Sequence, residues 1–254
     1  MKPLNIIKVG GAVVEDEASL SDLLRSFAQL PGNKVLVHGG GRAATQVAAE
    51  MGIESVMVQG RRVTDANMLR VVTMVYGGLV NKNIVARLQA LGVNALGLTG
   101  ADLGYMLSDR RPVVDVDYGF VGDVKRTDAS ILAQLIESSV VPVLAPLTHD
   151  GKGSLLNTNA DTIAAEAAKA LAQMFDVTLT FCFEKQGVLL DADDDSSVIA
   201  RLYRDDFQRL VAEGTISGGM IPKITNAFCA IDSGVKRVVI THARHLEGGT
   251  TIVG

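Results

Sequence analysis

Short apolar runs rich in β-branched residues alternate along the chain with longer stretches in which apolar residues recur every three to four positions. The runs at 4–9, 34–38, 94–98, 140–145, 177–183 and 236–241 are too short for helices and predict strands. Amphipathic periodicity predicts helices over 18–30, 42–51, 65–91, 128–139, 160–174 and 219–233, with Pro31-Gly32, Gly52 and Gly92 as stops. Strand and helix in alternation imply right-handed crossovers and a mainly parallel sheet covered on both faces. Residues 105–125 break the rhythm, because Pro112, Asp117-Tyr118-Gly119 and Gly122-Asp123 punctuate β-rich pieces. That segment predicts a hairpin standing out from the sheet. With no repeat, low-complexity tract or long linker, the chain reads as one α/β unit or two tightly joined lobes.

Composition narrows the function. The 254 residues carry 4% aromatics and no tryptophan, so the core is built from Val, Leu, Ile and Ala. A net charge of −4 argues against a nucleic-acid or anionic-membrane surface. No apolar run approaches the ~18 residues that span a bilayer, and the start reads as a strand rather than a signal peptide. Cys182 and Cys229 lack metal-ligand spacing and sit in apolar segments, which predicts buried free thiols in a reducing cytoplasm. The run 191–195 reads as a solvated acidic loop, and the four histidines form no triad or metal cluster.

Ligands of parallel α/β sheets bind outside the carboxyl ends of the strands, and that is where the unusual residues fall. The strand at 4–9 runs into Gly10-Gly11, and the strand at 34–38 ends in His38-Gly39-Gly40-Gly41 and opens a helix. Gly97-Leu98-Thr99-Gly100-Ala101-Asp102 follows the third strand. Gly151-Lys152-Gly153 and Leu156-Asn157-Thr158-Asn159-Ala160-Asp161 follow the strand near 140. Glycines there let backbone N–H groups form a nest for anions, and a helix start favours phosphate. The same glycines also serve plain tight turns, and neither the Walker A pattern nor the dinucleotide fingerprint is present.

Lys8 lies in an apolar strand, where its amine either snorkels to water or reaches into the cleft to meet a transferring phosphoryl group. Asn159 suits a helix N-cap, and Asp161 suits the first turn that follows. Ser217-Gly218-Gly219-Met220-Ile221-Pro222-Lys223 offers a second lysine after a flexible turn. Arg61-Arg62-Val63-Thr64-Asp65 puts two guanidiniums before a helix, where they either fork a carboxylate or decorate a surface turn.

Taken in order, Ile7-Lys8-Val9-Gly10-Gly11, Val37-His38-Gly39-Gly40-Gly41, Gly60-Arg61-Arg62-Val63-Thr64, the 156–161 motif and Gly218-Gly219-Met220-Ile221-Pro222-Lys223 resemble the amino acid kinase family. The Arg-Val-Thr and Asn-x-Asn-Ala-Asp pair resembles, within it, the branch that phosphorylates acylated glutamate. The resemblance implies a three-layer α/β/α sandwich over 1–254, with an acylglutamate lobe at 1–174 and a nucleotide lobe at 175–254. It implies ATP-dependent phosphorylation of the side-chain carboxylate of an N-acyl-L-glutamate, acetyl or succinyl, as the second step of arginine biosynthesis. Lys8 and Lys223 would stabilise the phosphoryl group, with Asp161 organising them. Gly10, Gly11 and Gly40 would bind phosphate oxygens, while Gly40, Gly41, Arg62, Asn157 and Asn159 would hold the substrate. ATP and Mg²⁺ are the implied cofactors, with no protein metal ligands, no nucleic acid and no membrane. Arginine-inhibited relatives carry an extra amino-terminal helix for which 1–4 leaves no room, so a homodimer insensitive to arginine is expected.

Two positions depart from the family pattern: 183–187, where an Asp-Val-x-Gly-like turn is usual, and Arg42, a cation that points to an acyl group bearing its own carboxylate. Another carboxylate or carbamate kinase of the same fold, or an inactive amino-acid sensor, are the alternatives.

Overall fold

A computed structural model describes residues 1–254 except 184, 192, 219 and 247 and the side chain of Pro222. Glu184 in the 183–187 turn, Ala192 in the acidic run, and Gly219 and the Pro222 ring in the 218–223 motif therefore lie outside the described residues. The strands are β1 (Lys2–Val9), β2 (Asn33–His38), β3 (Met57–Val58), β4 (Arg61–Arg62), β5 (Ala95–Leu98), β6 (Met106–Arg110) and β7 (Gly122–Thr127). They continue with β8 (Val141–Leu144), β9 (Leu147–His149), β10 (Leu155–Asn157), β11 (Phe175–Phe183), β12 (Arg201–Tyr203), β13 (Arg237–His242) and β14 (Thr250–Val253). The α-helices are α1 (Gly11–Glu15), α2 (Glu17–Gln29), α3 (Gly41–Glu50), α4 (Ala66–Val72), α5 (Asn81–Ala90), α6 (Ala129–Glu137), α7 (Ala160–Leu171), α8 (Arg204–Ala212) and α9 (Met220–Asp232).

One eight-stranded sheet runs through the molecule in the order β12-β14-β13-β11-β1-β2-β8-β5. β1 lies near its middle and pairs in parallel with β2 and β11, so Lys8 sits between Val37 and Phe181. Both faces of β1 are dry, which is why its sequence is nearly continuous in apolar residues. On one face Leu4 and Ile6 join Ile163, Ala164 and Ala167 of α7 and Ile224 and Ala227 of α9. On the other, Ile7 and Val9 join Leu20, Leu23 and Phe27 of α2 and Ile84 and Leu88 of α5. Alanines along α7 let that helix lie close to the strands, and the helix starts where Asn159 accepts hydrogen bonds from the N–H groups of Asp161 and Thr162.

The predicted hairpin is present as the antiparallel pair β6–β7, and β9 and β10 extend it into a four-stranded sheet of order β10-β9-β6-β7. The expected single helix over 65–91 is instead α4, a π-helical segment Thr73–Val80, and α5, run together without a break. A π turn is wider than an α turn and shifts the helical phase. Here it carries Tyr76 to the glycine turn, where a Cβ added to Gly40 would meet Tyr76 Cδ1 at 3.0 Å. Cys182 is buried and its thiol is pushed up to about 12 by burial. Cys229 is exposed, against expectation: it lies on α9 where the neighbouring Ala227, Phe228 and Ala230 take the core positions.

Candidate active site

The turn Gly10-Gly11 and the turn 39–41 pack directly on each other. A Cβ on Gly39 would come within 3.1 Å of the Gly11 nitrogen, and one on Gly11 would lie 3.5 Å from the Gly41 nitrogen and 3.7 Å from the Gly40 nitrogen. The first N–H groups of α3 have no acceptor inside their own helix, so this junction is rich in positive potential. One of them, on Ala43, donates to Glu15 Oε1 at 2.6 Å.

Beside the turns lies a cavity of about 190 Å³ lined by residues that include Gly40, Gly41, Arg61, Arg62, Tyr76, Asn157 and Asn159. Arg62 is buried, at 8% exposure. It donates through Nη2 to the Gly41 carbonyl at 2.7 Å and Thr45 Oγ1 at 2.8 Å, and through Nη1 to Ser55 Oγ. It therefore ties the 39–41 turn, α3 and the 51–56 connection into one wall. Asn157 Nδ2 donates to Thr64 Oγ1 at 2.9 Å, and its backbone N–H donates to the Phe120 carbonyl at 2.8 Å. Thr64 also crosses Gly119, where a Cβ would sit 2.3 Å from the Thr64 carbonyl oxygen; only glycine, here at φ 71°, permits that approach. The hairpin tip, the Thr64 segment and β10 are thus knotted together at the cavity.

The lysines lie outside the cavity lining. Lys8 Nζ pairs with Asp161 Oδ1 at 2.6 Å, the two side chains being 8% and 19% exposed. Lys8 and Lys223 both lie over the ring of Phe183, their ammonium groups 5.4 Å and 3.7 Å from its centroid. An aromatic face attracts a desolvated cation, so Phe183 brings together two like charges from β1 and α9. Two ammonium groups brought together in this way are suited to a multiply charged anion.

A profile of the amino acid kinase family matches residues 3–242. The chain belongs to the amino acid kinase family. It is 66% identical over 249 residues to an acetylglutamate kinase from Parabacteroides distasonis, covering 98% of each chain. It is 64% identical over 251 residues to one from Bacteroides fragilis, covering 98% of this chain and 96% of that protein. Among solved structures, N-acetylglutamate synthase from Neisseria gonorrhoeae in complex with coenzyme A and N-acetyl-glutamate superposes with a TM-score of 0.83 at 22% identity. That match covers 99% of this chain and 59% of the synthase, and speaks to the fold. The α/β sandwich with its mainly parallel sheet is that of the amino acid kinases.

In this amino acid kinase the residues singled out in the sequence fall into two groups. Gly40, Gly41, Arg62, Asn157 and Asn159 line the cavity. Lys8, Asp161 and Lys223 cluster outside its lining, with Gly10 and Gly11 at the turn that meets 39–41. Other members of the predicted edge are spent on structure. Asp102 Oδ2 accepts from the Thr99 N–H and hydroxyl to close a turn, and Asp150 accepts from the Lys152 and Ser154 N–H groups, so neither loop reaches the cavity. Arg42 is exposed and outside the lining, whereas Arg61 lines it. Tyr76 is a lining residue that pattern reading did not single out, and Thr64, part of a quoted motif but given no role there, holds Asn157. Tyr76 depends on the π turn and Thr64 on a long-range crossing.

Proposed function

We propose that the chain transfers the γ-phosphoryl group of ATP to the side-chain carboxylate of an N-acyl-L-glutamate, as an acetylglutamate kinase of arginine biosynthesis acting in the cytoplasm. The observation that carries this is the Lys8–Asp161 pair at 2.6 Å, with Lys223 over the same Phe183 ring, beside the cavity that holds Arg62 and Asn157. The cavity takes the acylglutamate, with Arg62 and Asn157 oriented toward its α-carboxylate and acylamino group and Asn159 close by. The nucleotide lies on the side of Lys223, on the 175–254 part of the chain.

One carboxylate oxygen of the substrate attacks the γ-phosphorus. The new P–O bond forms as the bond to the β–γ bridging oxygen breaks, and ADP leaves with that electron pair. Lys8 and Lys223 offset charge on the transferring group, and the N–H groups of Gly11 and Gly40 meet its oxygens. Asp161 holds the Lys8 ammonium in place. Among the described residues no group of three His, Cys, Asp or Glu side chains is placed to hold a metal ion. Mg²⁺ would enter with the nucleotide phosphates. When bound, the ion neutralises the β- and γ-phosphate oxygens.

The test is ATP turnover with glutamate, N-acetylglutamate and N-succinylglutamate compared side by side. Turnover of an acylated glutamate and not of glutamate is the expected result; the opposite pattern sinks the proposal. A succinyl preference would direct attention to Arg61, which lines the cavity, and to Arg42 at the start of α3.

Gly11→Ala checks the phosphoryl half alone. Gly11 has an ordinary backbone conformation, so the methyl group costs no φ strain, yet it fills the space faced by the Gly40 and Gly41 nitrogens. A fall in kcat of about tenfold or more with an unchanged melting temperature is expected. Normal turnover would exclude that space from the reaction.

The homodimer is assigned to the β5 edge. β5 ends the eight-stranded sheet with Leu96 at 39% exposure, and Met74 and Leu79 of the π segment are 48% and 53% exposed. Light scattering should give a dimer for the wild type and a monomer for Leu79→Glu/Leu96→Lys. A wild-type monomer, or a variant that stays dimeric, removes this edge from the assembly.

A further inference from the structure

His38 is the last residue of β2, and its ring is fully buried directly behind the glycine turn. Its surroundings decide which ring nitrogen carries the proton. Lys82 Nζ can only donate, and it sits 3.1 Å from Asn81 Oδ1 and 3.0 Å from the Gly97 carbonyl. The Val143 carbonyl can only accept, and it takes a hydrogen bond from Asn81 Nδ2 at 3.0 Å. These two neighbours fix the orientation of the Asn81 amide. Its second Nδ2 hydrogen then points at His38 Nε2, 3.1 Å away, so Nε2 must accept. The proton is left on Nδ1, which donates to the Gly39 carbonyl at 2.7 Å. Burial pushes the ring's pKa down to about 4, so it stays neutral in this tautomer at neutral pH.

A trans peptide holds its C=O and N–H on opposite sides. Pinning the Gly39 carbonyl toward the His38 ring therefore turns the Gly40 N–H away from it, to the side where Gly11 approaches and the cavity opens. The far end of the network is equally specific. A Cβ on Gly97 would lie 1.9 Å from Asn81 Oδ1 and 2.8 Å from Lys82 Nζ, so bare backbone at Gly97 is what admits the Asn81 amide. We infer that His38 is a positioning residue for phosphoryl transfer: through its Nδ1–H it holds the Gly39–Gly40 peptide so that the Gly40 N–H faces the transferring group. Asn81 and Lys82 set the tautomer that lets it do so. This rests on the kinase reading above and names a residue that touches neither substrate.

Two substitutions separate the ring nitrogens. His38→Asn places an amide N–H near the Nδ1 position and gives up the contact to Asn81. His38→Gln reaches toward Asn81 and vacates the Nδ1 position. Both lose ring packing, so a merely structural role would make them fall together. The expected result is a ~10- to 100-fold loss of kcat in His38→Gln, with both KM values within about threefold of wild type and His38→Asn within about fivefold in kcat. Equal losses in the two variants, or losses confined to KM, overturn the assignment. Imidazole ¹⁵N spectra of the wild-type protein at neutral pH give a readout that needs no variant to fold. A neutral ring protonated at Nδ1 is expected, and a ring protonated at Nε2 or at both nitrogens overturns the assignment. A wild type that turns over no acylglutamate refutes the kinase reading instead, which keeps the two failures distinct.

Discussion

Lys8→Ala is expected to lower kcat by at least ~10²-fold while the fold persists, because the ammonium acts on charge that develops only in the transition state. The environment makes this residue more than one cation among several. Its amine is carried on a central strand, pairs with Asp161 at 2.6 Å and lies over Phe183, so its position is fixed before any ligand arrives. Removing it leaves the Asp161 carboxylate facing phosphate with no cation of its own, which adds repulsion to the lost attraction. Lys8→Ala/Asp161→Ala should therefore recover part of the loss that Lys8→Ala shows. Lys223→Ala, on α9 over the same Phe183 ring, should lower kcat by a similar factor. Steady-state kinetics of these three variants decides the matter. Near-normal turnover in folded Lys8→Ala would remove it from the mechanism.

Arg62→Ala should raise the KM for the acylglutamate about 10- to 100-fold, the range of one or two lost hydrogen bonds to a charged group. The KM for ATP should move little. The structure sharpens this expectation, because the same guanidinium also serves the Gly41 carbonyl, Thr45 and Ser55. If its role were only to brace the wall, the glycine turn would loosen and both KM values would rise together. Arg62→Lys separates charge from fork. A lysine cannot reach three acceptors on two elements at once, so it should behave like the alanine variant.

The parts of the fold that a reader of the sequence can see are those whose burial is continuous. β1, β2 and β11 are dry on both sides and read as apolar runs, and α2 and α7 carry a clean apolar stripe. β12 and β14 are three and four residues long and owe their existence to pairing at the sheet edge, a cause that local pattern does not express. α1, five residues between two turns, is too short to show a period. The π segment is hidden for a different reason: the apolar period over 66–90 reads as one helix, and the Gly77-Gly78 pair inside the π segment does not by itself distinguish a π turn from an α turn. At the site, the glycine turns, Lys8 and Asn159 with Asp161 are legible because residue types that are awkward in their local setting mark them. His38 was not, since a histidine ending a strand looks ordinary until Asn81, 43 residues on, is seen to face it.

The place of β1 near the middle of the sheet also bears on how the molecule is made. β1 and β2 leave the ribosome early and can pair at once, but the other flank of Lys8 stays open until Phe181 of β11 has been synthesised and docked. Asp161, the counter-charge, arrives only shortly before. The central pairing is thus a late closure over most of the chain, with the slow search that such non-local contacts entail. In refolding, recovery of activity should lag behind helix formation measured by circular dichroism, because Lys8, the lysine proposed to meet the phosphoryl group, is sealed into place by the same event that completes the sheet.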